Sequence, residues 1–285
     1  MSLIYFQGLN CYSSSILNAA AFTGVDYRNV FVNLWSETDF TYDQIHHLYL
    51  SRRIPVNLEV LGVKLEFLNC CSLKEVEKNL SQLSDGQWLV IGMDAFFIPW
   101  TPYYQTLHSF HYFIARKEKK DGFSCFDPTY DRKNLEIARE DMISHAVDIC
   151  RVYKTSEKRS HISSRQEAQE ILYSHPKMQE SLLVQIRECA YGKHKNGELL
   201  AKYIDALINN RYLYFHYLQN MPLYRGKYDQ YFPKEFFLKW TTVKYGLYKA
   251  SIRQNNQELI QEVCGHFREL IGEEMDIARK LLMQS

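Results

Sequence analysis

The sequence predicts an α+β domain over residues 1–155, followed by an all-α helical domain over 156–285. Three observations point that way. Before residue 155, apolar runs of strand length alternate with stretches of helical spacing. After Thr155-Ser156-Glu157-Lys158-Arg159-Ser160, the strand patterns fade and long helical periods take over. The composition is that of a globular chain with thick cores: 285 residues, 46% hydrophobic, with 21 Tyr and 16 Phe against 12 Gly.

The elements follow in chain order. A helix is expected over about 12–23 and another over 41–52. Val63-Lys64-Leu65-Glu66-Phe67-Leu68 alternates as a half-buried strand does. Ser72 with Glu75 is a capping-box pattern opening a helix over 72–83. Leu89-Val90-Ile91-Gly92-Met93 and His111-Tyr112-Phe113-Ile114-Ala115-Arg116 read as strands. Phe123-Ser124-Cys125-Phe126 follows the turn Lys120-Asp121-Gly122, so the last two runs form a hairpin. A helix over 135–146 closes the first domain. The second carries helices at 164–190, 196–219, 233–252 and 256–283, broken near Asn209-Asn210, Pro222 and Asn255-Asn256. It is expected to form a bundle or to pack on the first domain.

Charge and hydropathy exclude some functions. Lys plus Arg is 34 and Asp plus Glu is 33, a net charge of +1, so there is no whole-molecule basic field to attract nucleic acid. No apolar run has the length of a membrane span. The start, Met1 to Gly8, lacks the basic flank and apolar stretch of a signal peptide, although Tyr5-Phe6-Gln7-Gly8 resembles a protease-site scar. Seven Cys, an odd number, then suggest a reduced, cytoplasmic setting rather than a disulfide framework.

The stretch richest in chemistry is Gln7-Gly8-Leu9-Asn10-Cys11-Tyr12-Ser13-Ser14-Ser15. It places Cys11 at the head of a helix, where unpaired backbone N–H groups and the positive dipole end favour thiolate over thiol. The same N–H groups, with the amides of Gln7 and Asn10, could stabilise an oxyanion. A nucleophile needs a base, and the base needs an orienting partner. His111 opens one strand of the expected hairpin and Asp127 closes the other, so the two fall side by side at one sheet edge. Asp94, near a strand end, could bind an ammonium group or rim the pocket.

The order Cys, His, then Asp on the next strand resembles papain-like cysteine enzymes, and the Asp127-Pro128 ending resembles their bacteriocin-processing branch. A closer resemblance is to the family of the butirosin biosynthesis protein H N-terminal domain. It rests on Asn10-Cys11 with the Ser-rich helix, Phe22-Thr23-Gly24, Asp94-Ala95-Phe96-Phe97-Ile98-Pro99-Trp100, Tyr103-Tyr104, His108, His111-Tyr112-Phe113-Ile114 and Asp127. It spans the first 155 residues. The resemblance implies a papain-like domain and a Cys-His-Asp acyltransferase of peptide or antibiotic biosynthesis. The donor would be an acyl or aminoacyl thioester on the phosphopantetheine arm of an acyl or peptidyl carrier protein. The acceptor would be a small-molecule amine, with no other cofactor. Asn10 stands where relatives often carry His, and Arg116 to Gly122 replace a Gly-Tyr-Asp turn.

Plainer readings stand beside these. Cys11 alone could be a buried packing residue. His108 and His111 could supply two metal ligands, but no third is evident, so no metal is expected. Otherwise His108 is a loop residue or lines the pocket. Cys70-Cys71 reads as packing, His46-His47 as surface or partly buried on a helix, and Tyr212-Leu213-Tyr214-Phe215-His216-Tyr217 as core. Lys117, Lys119 and Lys120 sit at a hairpin tip, as a solvated edge or a weak attractor of an acidic carrier protein. The triad would equally serve a thioesterase or peptidase, and the chain could be a catalytically silent binding module. The helical region could cap the cleft, dock a carrier protein or form a homodimer interface.

Overall fold

The computed structural model describes residues 2–44, 47–118, 122–156, 164–190, 197–221, 232–252 and 257–284. The expectations for His46, Lys119, Lys120, Asp121, residues 157–160, Pro222, Asn255 and Asn256 fall outside the described residues. The fold is α+β, and the chain divides into two compact units, Met1–Val30 with Ile54–Ser160, and Phe31–Arg53 with His161–Ser285. Residues 31–53, read in sequence as part of the first domain, therefore group with the helices. No described helix is long and apolar enough to cross a membrane.

The first unit is built on a six-stranded antiparallel sheet. Its strands are β3 (Val63–Leu68), β4 (Trp88–Asp94), β5 (Phe110–Lys117), β6 (Phe123–Asp127), β7 (Arg132–Glu136) and β8 (Ala146–Lys154), in the spatial order β3-β8-β4-β5-β6-β7. Strand alternation divides the side chains between two faces. On one face Leu89, Ile91, Met93, Phe113, Ala115 and Cys125 pack with Val76 and Leu80 of α3 (Leu73–Ser81) and Met142 of α4 (Arg139–His145). On the other lies α1 (Cys11–Phe22), whose Ile16, Leu17, Ala19 and Ala20 are fully buried. Phe22 of α1 packs on Trp88 and Phe126, and Tyr12 meets Tyr112 edge to face. Gly92 makes room for that contact: a Cβ there would stand 2.6 Å from the Tyr112 ring.

Two expectations in this unit need correction. The helix expected over 135–146 is strand β7 followed by the shorter α4. Pairing of Asp127 with Arg132 and of Cys125 with Leu135 draws 132–136 into the sheet, overriding local helical propensity. Strand β8, not anticipated, sits between β3 and β4, with Ile149, Cys150 and Val152 buried.

The second unit is a helical assembly of α5 (Ser164–Ala190), α6 (Gly197–Asn220), α7 (Lys234–Ile252) and α8 (Gln257–Gln284). In it α5 packs on α8, α8 on α7 and α7 on α6. The helix bounds match the sequence expectation closely, except that Asn209-Asn210, expected as a break, lies inside the continuous α6. Leu213, Tyr214 and Tyr217 of the aromatic run are buried, with Trp35 stacked on Tyr214 at 5.5 Å between ring centres. The helix expected over 41–52 is instead a hairpin of β1 (Phe40–Asp43) and β2 (Leu48–Ser51), in register Phe40 to Ser51. Tyr42 and Tyr49 pair across it at 4.9 Å. The buried Glu37 explains where the hairpin ends. Its carboxylate accepts from the N–H groups of Arg52 and Arg53 at 2.8 and 3.0 Å, from Ser51 Oγ at 2.6 Å and from Asn210 Nδ2 at 2.7 Å. Capturing those N–H groups starts helix α2 (Arg53–Val60) one residue after the strand and ties the segment to α6.

Candidate active site

The site gathers in the first unit, where α1 begins. The turn Phe6-Gln7-Gly8-Leu9 is closed by Leu9 N–H donating to the Phe6 carbonyl at 3.1 Å, and Gly8 takes a φ of 99° that a side chain would oppose. Asn10 caps the helix. Its Oδ1 accepts from Ser13 N–H at 2.8 Å while Ser13 Oγ accepts from Asn10 N–H at 3.0 Å, a reciprocal capping box. Cys11 is thus the first helical residue, partly exposed, in the turn where backbone N–H groups find no intrahelical acceptor.

His111 is the second residue of β5 and Asp127 the last of β6. The β5–β6 ladder runs from Lys117–Phe123 to Ile114–Phe126 and stops there. One more step of that register sets Phe113 across from Asp127 and makes His111 its diagonal neighbour on the same face. The side chains meet accordingly. His111 Nε2 lies 2.7 Å from Asp127 Oδ2, with the imidazole almost fully buried and the carboxylate fully so. Cys11 is hydrogen-bonded to the same imidazole. Burial by itself would lower the pKa of His111. Its hydrogen bonds to Asp127 and Cys11, together with the electrostatic influence of both groups, outweigh it and raise the imidazole to about 9. The ring is therefore positively charged at neutral pH.

Asp127 is held by more than the histidine. Trp100 Nε1 donates to its Oδ2 at 2.8 Å, and its Oδ1 accepts from the N–H groups of Thr129 and Tyr130 at 3.0 and 3.4 Å. This is the Asx turn that Asp127-Pro128 invites. The Tyr130 ring leans over the imidazole at 5.2 Å. Burial, with the nearby Asp127, Tyr103, Cys11 and Tyr5, pushes the Tyr130 hydroxyl up to about 12, so it stays a neutral phenol.

The remaining sequence candidates take different places. Asp94 and His108 join each other, His108 Nδ1 at 2.7 Å from Asp94 Oδ2. Asp94 Oδ1 accepts from the N–H groups of Phe96 and Ser109 at 3.1 and 3.2 Å. Burial would raise the pKa of Asp94, but the hydrogen bonds from His108, Phe96 and Ser109 leave it lowered. Both oxygens are thus engaged in shaping the β4–β5 connection. Gln7 is exposed in the turn before α1 and, among the described residues, is not hydrogen-bonded to the triad. Asn10 has its oxygen committed to the cap, which leaves its amide NH2 as a donor. Sequence reasoning missed the hold of Trp100 on Asp127 and the tilted Tyr130 ring over His111. The Pro99-Trp100 pair and the aromatic three places after Asp127 were the available signals.

All seven cysteines are free thiols. Burial raises the pKa of Cys125, of Cys150 to about 12, and of Cys70, Cys189 and Cys264, so these stay protonated. Cys11 alone among the described cysteines is paired with a buried imidazolium. No group of three or more His, Cys, Asp or Glu able to hold a metal ion occurs among the described residues. A cavity of about 590 Å³ lies in the helical unit, lined by Tyr49, Lys177, Met178, Leu182, Leu200 and Tyr203 among others, and no triad residue lines it. Compared with protein-family models and with curated proteins, the chain matches none.

Proposed function

We propose that this chain is a papain-like, cysteine-dependent acyltransferase of the butirosin biosynthesis protein H type. It would move an acyl or aminoacyl group from a carrier-protein thioester, through acyl-Cys11, to a small-molecule amine in the cytoplasm. The observation that carries the reading is one buried imidazole that bonds a buried carboxylate through Nε2 and interacts with a helix-head cysteine. The natural-product context comes from the sequence resemblance alone.

The chemistry follows from that arrangement. The Cys11 thiolate adds to the donor thioester carbonyl, and the oxyanion forms beside the first-turn N–H groups of α1. The tetrahedral adduct expels the carrier thiolate, which takes the proton from the His111 imidazolium. One thioester replaces another, so the step is nearly isoenergetic and rests mainly on positioning. An amine then adds to acyl-Cys11 while neutral His111 removes its proton. Collapse releases the amide and restores the thiolate–imidazolium pair. Asp127 holds the ring and its tautomer throughout.

Intact-mass analysis after mixing the chain with acylated carrier protein or acyl-pantetheine tests this. The wild type should gain one acyl mass, lost on adding an amine as the amide appears, and Cys11→Ser should gain none. Acylation of the Cys11→Ser protein would overturn the mechanism. Free acid formed equally with and without amine would overturn transfer in favour of a thioesterase or peptidase. A wild type that gains no mass would leave the site as a binding module.

A further inference from the structure

The connection between β4 and β5 is unusual in composition. From Ala95 to Phe110 there is no Lys, Arg, Asp or Glu, while six of its side chains are aromatic rings of Phe, Trp or Tyr. Several large side chains here lie open to solvent: Tyr103 and Tyr104 at 39%, Leu107 at 53% and Phe110 at 38%. Exposed apolar surface of this density costs free energy unless something covers it.

The segment is not a loose loop. Ala95 N–H donates to Ser109 O at 2.6 Å and Gln105 N–H to Phe96 O at 3.0 Å, closing it twice across its width. Thr101 Oγ1 donates to the Ala95 and Ile98 carbonyls at 3.0 and 3.1 Å, and Leu107 N–H to Tyr103 O at 3.1 Å. His108, paired with Asp94, stacks on Phe96 at 4.4 Å. The rings are therefore held out on a preformed platform, which removes much of the ordering cost of binding.

The platform is tied to the triad at two points. Trp100 bonds Asp127, and Phe110 immediately precedes His111 in β5. Between them, Tyr103 lies close enough to interact electrostatically with Tyr130, the ring over His111, which in turn senses Cys11 and Tyr5. Uncharged aromatic groups thus border the triad on two sides, Trp100 at Asp127 and Tyr130 over His111.

We propose that the Ala95–Phe110 platform, with Tyr5 and Tyr130, is the acyl-binding surface of this site and selects an uncharged, apolar or aromatic acyl group. This rests on the acyl-Cys11 reading and narrows it. A charged acyl chain would lose hydration here and find no counter-charge in the segment, whereas an alkyl or aryl chain gains by burial against the rings.

Single-turnover loading of Cys11 on the full chain, followed by intact mass, tests the inference with acetyl-, octanoyl-, benzoyl-, succinyl- and β-alanyl-pantetheine. Octanoyl and benzoyl groups should load at least tenfold faster than succinyl and β-alanyl groups. Tyr103→Ser and Leu107→Ser should each shrink that ratio several-fold. Equal loading of charged and apolar groups, or an undiminished ratio in both variants, would overturn the platform while leaving the acyl-enzyme intact. No loading from any thioester, in protein whose Cys11 still alkylates with iodoacetamide, would overturn the acyl-enzyme reading and the inference with it.

Discussion

Asp127 shows how much a single carboxylate organises here. Four donors converge on it: His111, Trp100 and the two backbone N–H groups of its own turn. In Asp127→Asn, one oxygen becomes an NH2 that opposes at least one of those donors and removes the negative charge from the imidazole. We expect acyl transfer to fall by about ten-thousandfold with the fold retained, as when a triad carboxylate becomes an amide elsewhere. The His111 pKa should drop from about 9, read by NMR titration of the ring protons. The sign of the stability effect follows. A raised folded-state pKa stabilises most below the unfolded value of 6.5, and that contribution is lost as pH rises through about 9. The pH-dependent part of the stability difference between wild type and Asp127→Asn should therefore shrink over that interval in chemical denaturation. His111 and Asp127 were readable as a pair because each sits at a strand end. The hold of Trp100 on Asp127 was not, because the Pro99-Trp100 pair stands out in the sequence but nothing local ties it to residue 127.

Helix α1 carries the nucleophile, and its start is set by local chemistry. The Asn10–Ser13 capping box fixes Cys11 as the first helical residue. Asn10→Ala should cost about 1 kcal/mol of stability, seen in thermal unfolding. It should also slow iodoacetamide alkylation of Cys11 several-fold, because fraying withdraws the sulfur from His111. An unchanged alkylation rate would mean the cap serves stability alone. Elements bounded by such local signals were legible: α1, α3 with its Ser72 cap, and the helices from residue 164 onward. Residues 41–52 were not, because Tyr42, Tyr49 and their neighbours satisfy helical and alternating patterns alike. The hairpin is decided by Glu37, a residue outside the segment, taking the N–H groups at its end.

In the helical unit a buried charge cluster joins four helices. Glu274 of α8 receives Arg211 of α6 through Nε at 2.6 Å and Nη2 at 2.8 Å, His175 of α5, and Trp240 Nε1 of α7 at 3.1 Å. Burial would raise the Glu274 pKa, but the charges of Arg211 and His175 win and hold it near 2. Glu274→Gln leaves a buried guanidinium without its counter-charge, and we expect a loss of about 3–5 kcal/mol at pH 7 by urea unfolding. Glu274 stabilises above its unfolded pKa of 4.5, and that contribution is lost as pH falls through about 2. The gap between wild type and variant should narrow over that range. Four polar side chains on four helices meet here, and no spacing in the sequence announces it.

Read as a string of residues, this chain already specifies a helix headed by a cysteine, a hairpin bearing a histidine and an aspartate, and four long C-terminal helices. Each depends on neighbours within a few positions, through caps, periodicity and turns. Long-range pairing alone settles the rest: strand β8 inserted between β3 and β4, residues 31–53 joined to the helices, and Trp100 on Asp127. Those features arise from hydrogen bonds and buried surface between residues far apart in the chain, whose partners exist only once the backbone has closed on itself.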